Sequence, residues 1–159
     1  MKHVHRLAIA AALALAFVFS FSVGSALAQD SAALIKYRQR VMRALSGHMG
    51  ALGEYAKNNL PYDGHVAVHA RGLAELSKLL PEIFPKGTEN GKTDALPDIW
   101  AKPADFRKAA ENMGDEAAKL AGMSDAMGAK AQIKELGKSC GGCHKKFRQP
   151  KEKSYKNKK

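Results

Sequence analysis

The chain has 159 residues, a length that suits one domain. Its 26 Lys and Arg against 15 Asp and Glu give a formal charge of +11, a balance that inclines it toward acidic partners. It holds only two cysteines, which excludes a structural zinc site built with a second cysteine pair.

Residues 1–28 carry Lys2 and Arg6, then an apolar run from Leu7 to Phe21, then Ala26-Leu27-Ala28. A short basic region, an apolar core too short to span a bilayer comfortably and an A-x-A ending predict a cleaved secretory signal peptide with no membrane anchor left behind. Cleavage after Ala28 leaves 131 residues at a formal charge of +9. Nucleic acid is not an expected partner for such an exported chain.

The mature chain then reads as four helices. From Asp30 or Ser31, either a good N-cap, inward positions recur at Leu34, Arg38, Val41, Leu45, His48, Leu52 and Tyr55. Ile35, Met42, Met49 and Ala56 follow one residue on, so each heptad presents a three-residue face, the mark of a bundle helix. A second helix begins near Tyr62-Asp63-Gly64 with Val66, His69, Leu73, Leu76 and Leu80 on its face, and Pro81 stops or bends it. Pro81, Pro85, Gly87, Gly91 and Pro97 then break the pattern into a long crossover loop, pinned by Ile83, Phe84, Ile99 and Trp100.

A third helix opens around Pro103, a favoured first-turn residue, and carries Phe106, Ala110, Met113, Ala117 and Leu120. Residues 122–128 read as the turn, and a fourth helix runs from about Ala129 through Ile133, Leu136, Cys140, Cys143, His144 and Phe147. Nothing reads as a strand. Four helices with short outer connections and a long middle one predict an all-α antiparallel four-helix bundle over residues 29–150, followed by a solvated basic tail over 151–159. From Lys145 onward eight Lys and Arg face a single acid, Glu152.

The chemistry sits on the fourth helix, in Cys140-Gly141-Gly142-Cys143-His144. Two thiols three apart with an imidazole directly after form the attachment signature of a c-type haem. Each thiol adds across one haem vinyl group to give a thioether, and the histidine meets the iron as proximal ligand. On a helix Cys140 and His144 stand at i and i+4, with Cys143 beside them. A redox dithiol would want a strand leading into the motif, and a plain disulfide leaves His144 without a role. One haem c is the expected cofactor, filling space between helices whose faces carry Ala110, Ala117 and Gly137, and the chain without it is expected to fold poorly.

In order and spacing, Lys36-Tyr37-Arg38-Gln39, Pro61-Tyr62-Asp63, Pro97-Asp98-Ile99-Trp100 and Cys140 to His144 with Phe147-Arg148 give the chain a resemblance to the cytochrome c′ and cytochrome c-556 family, the class II c-type cytochromes. The resemblance covers essentially the whole mature chain. It implies a periplasmic monohaem protein, frequently a homodimer through its first two helices; no enzyme is expected, because the residues offer no acid, base or nucleophile constellation beyond the haem ligands. It also implies that the distal residue lies four positions after Arg38, at Met42. In one branch a methionine there closes the iron as a sixth ligand and the protein carries electrons between redox proteins. In the other the distal residue crowds the iron without binding, and the five-coordinate haem takes nitric oxide or carbon monoxide.

The sequence favours the first branch. Met42 offers a thioether at the distal position, and the run from Arg38 to Arg43 with Gly47-His48-Met49-Gly50 resembles the c-556 members. Methionine also serves as flexible core filler, and Met49, two turns along, would ligate only in a different helix register. His48 and His69 read as half-buried, hydrogen-bonded residues, and His65 as a helix-start residue. By the resemblance, Arg38 lies near the haem edge and propionates, as its planar fork suits, and Arg148, at i+4 from His144, lines the proximal side as in gas-binding relatives.

Overall fold

The computed structural model describes residues 31–157; the leader read over residues 1–28 lies outside them. Helix α1 covers residues 31–58, α2 Asp63–Ser77, α3 Asp98–Ala101, α4 Pro103–Ala121 and α5 Ala126–Phe147. Among the described residues no strand forms, and the four long helices make the antiparallel bundle that the heptad steps predict. Helix α3 is one turn set inside the crossover.

The buried stripe of α1 is Ile35, Arg38, Val41, Leu45, Leu52 and Tyr55. Leu34, expected on that stripe, is 43% exposed. Ile35 takes the inward place because the crossover loop lies on it: its terminal methyl is 3.3 Å from where a Cβ would stand at Gly91. That glycine has φ +114, a conformation side chains rarely adopt, so both the turn and the close approach need it. The first two helices meet as closely at Gly72, where a Cβ would come 2.8 Å from the His48 ring. Tyr55 at the end of α1 donates a 2.6 Å hydrogen bond to Asp63, the first residue of α2, and so fixes the corner that Pro61-Tyr62-Asp63 marks.

Helix α4 follows expectation closely, with Pro103 in its first turn and Phe106, Ala110, Met113, Ala117 and Leu120 all buried. Helix α5 starts at Ala126, three residues before its predicted start. Asp125 caps it by accepting the Gly128 N–H, so part of the expected 122–128 turn is helix. One leucine from each long helix, Leu52, Leu73, Leu120 and Leu136, is fully buried, and these close the core.

The basic tail departs from its reading as a solvated, frayed end. Residues 151–153 and 155–157 form 3-10 turns, with Ser154 between them buried. The reason is a long-range partner: Asp94 of the crossover accepts hydrogen bonds from Ser154 Oγ at 2.9 Å and from the Tyr155 N–H at 2.8 Å.

Candidate haem-attachment site

Helix α5 delivers Cys140, Cys143 and His144 in its last two turns, each half-buried, with Gly141 and Gly142 exposed beside them. Both thiols are unpaired, and both pack against the buried core. Burial raises both thiols, Cys143 to about 11 with the neighbouring Cys140 as second cause. Burial thus favours the neutral thiol at both positions. His144 is shifted the other way, held below its ordinary range by burial first and by the Arg148 charge second. Both causes favour the neutral ring, the form in which an imidazole binds iron. Unpaired thiols three apart and a neutral imidazole on the same half-buried end of one helix fit a covalent haem.

The distal candidates come from α1. Met42 and Met49 are half-buried and pack on the same core cluster as Cys140 and Cys143. The Met49 Cε lies 3.7 Å from where a Cβ would stand at Gly137, so it reaches α5 one turn before Cys140. His48 turns the other way, toward α2: its Nδ1 is 3.0 Å from Nδ1 of His69. Both rings are half-buried, which matches the hydrogen-bonded role read for them. His65 is exposed and stacks on Tyr62 with ring centroids 5.0 Å apart.

Arg38 is 2% exposed and belongs, as the side chains stand, to the crossover loop. Its guanidinium donates to Thr88 Oγ1 at 2.8 Å, to the Thr88 carbonyl at 2.9 Å and to Thr93 Oγ1 at 2.7 Å. It also lies over the Phe84 ring, 4.8 Å from the centroid, and 5.6 Å from that of Trp100. Three of its five N–H groups are thus spent on the loop. Trp100 in turn donates to the Phe84 carbonyl at 2.9 Å, and Phe84, Phe106 and Phe147 stack edge to face in sequence toward the end of α5. Arg148 is exposed, and its N–H closes α5 on the His144 carbonyl at 3.1 Å. Thr88, Thr93 and Asp94 were missed as partners of Arg38 and the tail, because those bonds join residues fifty or more apart along the chain.

The sequence matches the model of the family described as Cytochrome C′ over residues 33–148, from the first turn of α1 to the residue that closes α5. The chain belongs to the cytochrome c′ family. Members of this family carry one covalently bound haem c. The chain is 38% identical over 134 residues to cytochrome c-554 of Cereibacter sphaeroides, covering 78% of this chain and 88% of the relative. Cytochrome c prime from Shewanella frigidimarina superposes with a TM-score of 0.68 at 33% identity, over 76% of this chain and 97% of that one. A ferrous variant of cytochrome c prime from Alcaligenes xylosoxidans, solved with nitric oxide bound, gives 0.67 at 30% identity over the same shares. Relatives of this family are haem proteins and not known enzymes. No helix among the described residues is long and apolar enough to cross a membrane.

Proposed function

We propose that the protein is a periplasmic one-electron carrier whose haem iron is held by His144 on one side and Met42 on the other. The observation that carries the reading is the thioether of Met42 on the inward face of α1, four residues after Arg38, packed on the same cluster as the two cysteines of α5. Methionine and histidine ligation raises the reduction potential of a c-type haem and suits electron transfer. Cys140 and Cys143 hold the haem, His144 presents a neutral imidazole, and the core beneath them excludes water. The two N–H groups of Arg38 not spent on the loop are the ones available to a propionate.

The visible spectrum tests this directly. Replacing Met42 with Ala in the haem-loaded protein should convert a low-spin spectrum to a high-spin one and open the ferrous iron to carbon monoxide. An unchanged low-spin spectrum sinks the assignment of Met42.

Two observations favour a second reading, a five-coordinate protein that binds nitric oxide. A solved structure with nitric oxide bound is among the similar proteins, and Arg148 stands within electrostatic reach of His144 on the proximal side. Rapid carbon monoxide binding by the unmodified ferrous protein selects this reading over the carrier.

A further inference from the structure

The geometry points to a preformed docking plate for an acidic partner protein, made by the strap that follows α5 and latched in place by Asp94. The inference rests on the carrier reading and deepens it by naming the surface and the kind of partner.

The strap lies beyond residue 148, where the match to the family ends. After Phe147 the chain turns antiparallel to the crossover: Leu96 N–H donates to the Phe147 carbonyl at 3.0 Å, and Gln149 N–H to the Asp94 carbonyl at 2.7 Å. The Asp94 carboxylate then holds the far end through Ser154 Oγ and the Tyr155 N–H. Gln39 of α1 ties both segments by donating to the Lys92 carbonyl at 2.7 Å and to the Tyr155 hydroxyl at 3.2 Å. A short charged segment that could stay solvated is instead ordered, against the loss of backbone entropy that ordering entails.

What this ordering fixes is charge. Lys151, Lys153 and Lys156 on the strap, with Lys145 and Arg148 just before it, are all exposed, and none makes an ion pair among the described residues. Nearby, Lys146 alone is neutralised, by Asp105 at 2.7 Å. The strap begins five residues after His144, and its Gln149 N–H is tied to the crossover, whose Leu96 N–H in turn holds the Phe147 carbonyl in the last turn of α5. A fixed positive plate there steers a negatively charged partner to the haem-bearing end, where it raises association rates by about 10- to 1000-fold at low salt.

The test uses the haem-loaded protein and reduced rubredoxin, a rigid acidic one-electron donor. Its ferrous iron gives up one electron and becomes ferric as the haem iron goes from ferric to ferrous, and stopped-flow spectroscopy follows the rate against ionic strength. The wild-type rate should fall as salt rises. Reversing Lys151, Lys153 and Lys156 together to Glu should lower the low-salt rate about tenfold and flatten its salt dependence. The deciding variant is Asp94→Ala, which adds one unit of positive charge while releasing the strap, as faster hydrogen exchange at the Tyr155 amide would report. A latched plate predicts a slower reaction, whereas net charge alone predicts a faster one. An equal or faster rate for Asp94→Ala, or an unchanged rate for the triple reversal, overturns the plate. Sedimentation with phosphatidylglycerol vesicles that both variants abolish, with rubredoxin rates unmoved, assigns the surface to a membrane and overturns it too. A high-spin, carbon-monoxide-binding wild type sinks the carrier reading whatever the rates, and flat rates with a low-spin spectrum sink the plate alone.

Discussion

Arg38 shows how one buried charge can hold two distant pieces of chain. Burial lowers its pKa, opposed by nearby Glu89, yet a guanidinium remains charged in any protein. The charge is tolerated because Thr88 and Thr93 accept its hydrogen bonds and the faces of Phe84 and Trp100 lie beneath it. Arg38→Ala should cost about 2–4 kcal/mol in urea unfolding, because it leaves the buried Thr88 carbonyl without its donor and a void under the loop. If the role is confined to the loop, the haem bands of the variant stay where they were. Displaced bands with unchanged stability would instead give Arg38 to the propionates. The arginine itself was legible from the sequence, standing on the inward stripe of α1. Its partners were not, because nothing local in Thr88 or Thr93 announces an acceptor for a helix fifty residues upstream.

The four long helices could be read from their apolar steps, since residues recurring at intervals of three and four fall on one face of a helix and on both faces of a strand. Ends were harder to read. Helix α5 begins at Ala126, capped by the Asp125 side chain, while the glycines at 122 and 128 suggest a longer turn. The seam between α1 and α2 adds a consequence that only packing reveals. His48 and His69 meet Nδ1 to Nδ1 at 3.0 Å, a contact in which one ring donates and the other accepts. His69 is held below its ordinary pKa by burial first, then by the charges of His48 and His65, all on these two helices. A His with a depressed folded pKa binds fewer protons folded than unfolded, so stability rises with pH through this window. The contribution of His69 is therefore complete above about pH 6.5, the ordinary histidine value, and is lost as pH falls through the depressed one. His69→Gln should flatten this dependence in unfolding measured from pH 8 to pH 5. A wild-type curve without slope in that range would show that the histidine pair does not govern stability.

At the scale of the whole molecule the bundle has two unlike ends. Tyr55, Leu52, Leu120, Ala129, Ile133 and Leu136, all buried, gather where α1 and α4 finish and α5 begins, and this end is closed by protein side chains alone. The other end holds Met42, Cys140, Cys143 and His144, every one half-buried, and there the proposed haem would add its packing. On that proposal, replacing both Cys140 and Cys143 with Ser removes the thioethers and with them a group attached to the native core. The expectation of a poorly folded chain without haem then divides by end. Amides of α5 up to Leu136 should keep much of their protection from hydrogen exchange, while those from Cys140 to Phe147 and along the crossover lose it. Helicity by circular dichroism should fall in part, and the unfolding midpoint should drop because stabilisation specific to the native state is gone. Uniform loss of protection along α5 would mean that the haem organises the entire core, and unchanged protection throughout would mean that the protein side chains suffice without it.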